Sequence, residues 1–87
     1  MSDAAQIDYE CFEELVLQLQ IAGHSATAKK LDELLHRVAW TTGSELLGEL
    51  GLEILAFERA TLEVGAELRD SLNRCIAMVR RAWPDIK

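Results

Sequence analysis

Glu10 with Glu13, and Glu67 with Asp70, are acidic pairs three residues apart. That spacing puts two carboxylates on one face of a helix, where they can share a divalent cation. Paired E-x-x-E and E-x-x-D elements of this kind hold magnesium for nucleotide pyrophosphate hydrolysis when the second pair follows one helix after the first. Here more than fifty residues lie between them, and short acidic pairs arise by chance in a chain with 15 Asp plus Glu. There is no Gly-rich phosphate loop, no H-E-x-x-H and no Ser or Cys with an evident base beside it. Cys11 and Cys75 form no C-x-x-C and have no histidine near them in sequence, so each reads as a small buried hydrophobe. No catalytic residue, metal ligand or cofactor is assigned, and the chain is read as not an enzyme.

Four further glutamates are of interest. Glu45, Glu49 and Glu53 recur every four residues and stand one above another on a helix, where like charges repel by a few tenths of a kcal/mol per pair. They read as a solvated face or as a contact for a basic partner, such as the Arg69, Arg74, Arg80 and Arg81 end of another copy. Glu58 falls inside an apolar arc, between Leu47 and Gly51 on the wheel, so it requires water or an arginine within reach.

These side chains must be positioned by helices. The chain has 87 residues, 49% hydrophobic and 28% charged, with five glycines and a single proline, Pro84. Its composition favours Leu, Ala, Glu, Arg and Lys, the good helix formers, which predicts an all-α fold in one domain spanning residues 1–87. The first helix is expected over about 7–22, with Tyr9, Cys11, Phe12, Leu15, Val16, Leu19 and Ala22 on one face and Gly23 as its C-terminal cap. The second covers about 25–39, capped by Ser25, with Thr27, Ala28, Leu31, Leu34, Leu35 and Val38 inward. Thr42 and Glu45 read as a capping box opening the third, with Ser44 as a competing cap.

The apolar series from Leu47 to Trp83 then continues without a proline, and two arrangements are open. Either one helix runs from Ser44 to Ala82, about 58 Å long, or a break near Gly65 gives helices at about 43–63 and 66–82. The break is favoured, because four segments of similar length cover one another's stripes in a small antiparallel helical bundle. Trp83 before Pro84 ends the last helix.

The third helix is apolar around an arc about twice the width that one core requires, as for an element packed on two sides. Ser44, Gly48 and Gly51 make a strip of small residues within it, continued by Leu52 and Leu55. Two mid-helix glycines cost roughly 0.5–1 kcal/mol each relative to alanine, so a close backbone approach is expected there. Its partner is either the first or second helix of the same chain or a second copy across a two-fold axis. On the first helix Leu17 and Ile21 lie one turn apart on the acidic side, either incidentally exposed or the apolar centre of a binding patch.

The formal net charge of -6 opposes nucleic acid, and the glutamates on the third helix oppose its use as a recognition helix. No apolar run approaches the roughly 20 residues of a membrane span. The opening MSDAAQIDYE lacks the basic start of a secretory signal, so the expected location is cytoplasmic. The charge is polarised: Asp3, Asp8, Glu10, Glu13 and Glu14 give the first 22 residues -5, whereas residues 59–87 carry +2. The leading expectation is a small protein–protein interaction (assembly or scaffold) protein that self-associates, as a homodimer, through Ser44, Gly48, Gly51, Leu52, Leu55, Leu17 and Ile21. The alternative is an acidic immunity protein or antitoxin that neutralises a basic partner.

Overall fold

A computed structural model describes residues 9–37, 43–61 and 63–86. They form four helices, α1 (Tyr9–Ile21), α2 (Ser25–His36), α3 (Gly43–Ala60) and α4 (Ala66–Ala82), with no strand among the described residues. Each helix packs on its neighbours in chain order and α4 closes against α1, so α1 stands diagonally across from α3. The fold is the small all-α bundle expected, and the four-helix arrangement prevails over the long third helix.

One helical periodicity builds the core from all four sides. Phe12, Leu15, Val16 and Leu19 recur at three- and four-residue steps on α1, and Ala28, Leu31, Leu34 and Leu35 do the same on α2. From α3 come Leu46, Leu47, Leu50, Ile54 and Phe57, and from α4 Leu68, Leu72, Cys75, Ile76 and Val79. Removing each large side chain from water contributes about 1.5–3 kcal/mol, which makes this shared interior the main source of stability. Tyr9 and Ala22, placed on the inward face of the first helix by their spacing, are exposed at its two ends.

The connection between α1 and α2 is a Schellman turn. Gly23 adopts φ +91°, its N–H donates to Gln20 O at 3.1 Å, and His24 N–H donates to Leu19 O at 2.8 Å. Ser25, expected to cap α2, is instead its first helical residue: His24 holds the capping position without a side-chain cap bond, and its ring stands edge-on to Phe57 at 4.9 Å. The turn is too short to leave Ser25 outside the helix.

The third helix ends at Ala60, three residues short of the expected 63, and Gly65 caps α4 in an extended conformation (φ -65°, ψ 162°). Arg69 reaches across this break to Glu58, Nη1 to Oε2 at 3.0 Å. The carboxylate lies in the last turn of α3, where the helix dipole disfavours a negative charge, and the guanidinium supplies the required partner. The expected positions of Val38, Ala39, Trp40 and Thr42, including the capping box, lie outside the described residues, as do those of Ile7 and Asp8.

Candidate interaction surface

The small-residue strip of α3 is in use within the chain, against a segment other than the two considered from sequence. The approach comes neither from the first helix nor from the second but from the end of α4 and the residues after it. A Cβ added at Gly51 would stand 2.6 Å from Val79 Cγ1 and 2.8 Å from Ile86 Cδ1; one at Gly48 would stand 3.2 Å from Trp83 Nε1. Trp83 Nε1 donates to Ser44 O at 2.7 Å. Geometry at the helix end explains the fold-back: Trp83 precedes Pro84, leaves the helical region (φ -131°, ψ 74°), and its carbonyl accepts from Ile86 N–H at 3.1 Å. The wide apolar arc of α3 is thus covered by α2, α4 and this C-terminal hook. At its outer margin Leu52 is 51% exposed, while Leu55 is half-buried against the core. Leu52, Gly48, Trp83 and Ile86 floor a depression of about 380 Å³ edged by Glu45 and Glu49.

A larger concavity lies on the other side of the bundle. Because α1 packs between α2 and α4, its outward residues meet side chains from both, and the resulting open depression of about 1030 Å³ runs from Asp32 of α2 to Arg74 and Met78 of α4. Val16, Leu17 and Met78 give it an apolar floor, and Glu10, Glu13 and Glu14 an acidic wall. Leu17 is 49% exposed within it; Ile21, one turn on and 72% exposed, lies beyond its lining. Three of its carboxylates are engaged by side chains outside the lining: His36 Nε2 lies 3.3 Å from Glu13 and 3.8 Å from Asp32, and Gln18 donates to Glu14 at 3.0 Å. Arg74, the basic residue of the lining, is drawn toward Asp70 at 3.4 Å.

No family model, curated protein or solved structure matches the chain.

The two surfaces offer binding chemistry. Among the described residues no group of three or more His, Cys, Asp or Glu side chains is arranged to hold a metal ion, and no described helix is long and apolar enough to cross a membrane. Glu33 and His36 do stand at E-x-x-H spacing on α2, but His36 is turned to Glu13 and Asp32. The acidic ladder of α3 is divided, Glu45 and Glu49 edging the smaller depression and Glu53 a third hollow beside His24 and Phe57. Sequence reading missed Trp83 and Ile86 as the cover of the glycine strip, and Arg74 and Met78 as the far wall of the α1 surface. The Trp83–Pro84 pair signals only that the chain leaves the helix there, and does not say where the ring goes.

Proposed function

We propose that the chain is a protein–protein interaction module that receives a basic partner on the α1 face. The observation that carries this reading is the α1 depression, in which Val16, Leu17 and Met78 are framed by Glu10, Glu13, Glu14 and Asp32. Apolar contact at the centre with charge at the rim is the anatomy of a protein interface. A standard interface covers about 800 Å² per partner, roughly one-seventh of the chain's 5508 Å² of accessible surface. One face of the bundle is enough. The net charge of -6 draws a basic protein from a distance, and the effect weakens as salt shortens the screening length. This is the chemistry of an inhibitor that neutralises a basic protein.

Self-association is the second reading. Its original support, the Ser44, Gly48 and Gly51 strip, is consumed by the chain's own Trp83, Val79 and Ile86, and what favours it now is the exposed Leu52 beside Trp83. Affinity capture from the native cell separates the two. The wild-type chain and Leu52→Arg should retain one basic protein at low salt, and Leu17→Arg or the Glu10→Lys/Glu14→Lys pair should lose it. Retention of that protein by both α1 variants would overturn the proposal.

A further inference from the structure

Cys11 and Cys75 are the two cysteines of the chain, 64 positions apart, and the packing of α1 on α4 brings them sulfur to sulfur. Their Sγ atoms are 3.1 Å apart, and the Cys75 thiol also lies 3.4 Å from the Cys11 carbonyl oxygen. Burial as small hydrophobes accounts for each cysteine alone. It does not account for two of them meeting across a helix interface. Their surroundings also differ: Cys75 is fully enclosed, whereas Cys11 is half-buried and lines the open depression on α1. Cys11 is thus the residue of the pair on the solvent side, and Cys75 lies behind it.

We infer that Cys11 and Cys75 are a peroxide-oxidisable pair that closes an α1–α4 disulfide. The Cys11 sulfur, as thiolate, attacks one oxygen of a hydroperoxide; the O–O bond breaks, Cys11 becomes a sulfenic acid, and the leaving oxygen takes up a proton as water or alcohol. The Cys75 sulfur then attacks the Cys11 sulfur, the S–O bond breaks, and the departing hydroxide leaves as water with the Cys75 proton. With hydrogen peroxide the sum is two thiols and one peroxide giving one disulfide and two waters, the two electrons lost by sulfur being gained by the peroxide oxygens. A disulfide is about 2.05 Å long, so closure brings the sulfurs together by about 1 Å. The nearness of Cys75 favours capture of the sulfenic acid over its further oxidation. Closure ties the first helix to the last, across most of the chain, and reduction by a thiol reverses it.

The test uses the intact, fully reduced protein and a small excess of hydrogen peroxide, followed by mass measurement and peptide mapping. The expected product is a monomer lighter by about 2 Da, with both thiols lost and a peptide pair joining Cys11 to Cys75. Its thermal midpoint should rise by at least about 5 °C and return on treatment with dithiothreitol. Cys75→Ser should stop at a sulfenic acid on Cys11 that dimedone traps. Should that buried substitution prevent folding, Cys11→Ser at the half-buried position is the second variant, and its Cys75 should stay a thiol under the same treatment. The inference is overturned if both thiols survive in the wild type, if Cys11 proceeds to sulfinic acid while Cys75 stays reduced, or if the bond joins two chains. Its outcome is independent of whether the α1 face binds a partner.

Discussion

Gly51 and Gly48 sit one turn apart on α3 yet differ in what a methyl group would meet. At Gly51 the added carbon collides with Val79, a fully buried β-branched side chain with little freedom to turn aside. Gly51→Ala should therefore destabilise the fold by about 1–3 kcal/mol, in spite of alanine's better helix propensity, as chemical denaturation would show. At Gly48 the neighbour is the 44%-exposed Trp83, which can move outward, so Gly48→Ala should fall within about 1 kcal/mol of wild type. Glu58 is a second case where place decides. Its side chain is 23% exposed in the last turn of α3, and Arg69→Ala should cost about 1–2 kcal/mol by leaving that carboxylate without its guanidinium. Glu58→Gln should cost less, and a double-mutant cycle should give a favourable coupling that shrinks with added salt.

The elements were the most legible part of the sequence, because three- and four-residue apolar spacing leaves a helix one way to bury itself. The inward residues of α1, α2 and α4 follow from that spacing, and the φ of +91° at Gly23 follows from the need to end one helix and begin another within three residues. Nothing lies within 4 Å of a Cβ at Gly23, so Gly23→Ala should cost about 1 kcal/mol through backbone strain alone, measurable as a lowered unfolding midpoint. What the sequence concealed was partner identity across the bundle. The width of the apolar arc on α3 shows that two sides are covered, but periodicity within one helix does not say by what. The cover is Val79 at the end of α4 together with a hook, Trp83 and Ile86 on either side of Pro84, whose own pattern is too short to read. Cys11 and Cys75 were obscure for the same reason, since only the α1–α4 packing brings them together. At this scale the hook can be tested by Trp83→Ala, which removes the hydrogen bond to Ser44 O and the cover over Gly48. With the ring nearly half in water, a loss of about 1–2 kcal/mol is expected, short of the 3–5 of a fully buried tryptophan.

For the molecule as a whole, the order of the two functional readings depends on how α3 is satisfied. A helix with two apolar sides in so small a chain is satisfied either by its own chain or by a second copy, and the sequence alone leaves both open. The folded chain provides another: Val79, Trp83 and Ile86 occupy the small-residue strip, which leaves Leu52 as a single exposed leucine at its margin and shifts the larger framed concavity to α1. Leu52 with the 44%-exposed Trp83 beside it makes a small apolar patch, of a size ordinary on a protein surface. Both depressions pair an apolar floor with acids, and the one on α1, about 1030 Å³ against about 380 Å³, is the larger; that difference in size is why the proposed partner is assigned to the side diagonally opposite α3. The central claim is that this chain fills its own third helix and keeps its binding face for a different protein. Light scattering on the isolated chain, from micromolar to near-millimolar concentration, tests it most directly. The account predicts a mass of 9.7 kDa throughout; a dimer that Leu52→Arg dissolves would contradict it.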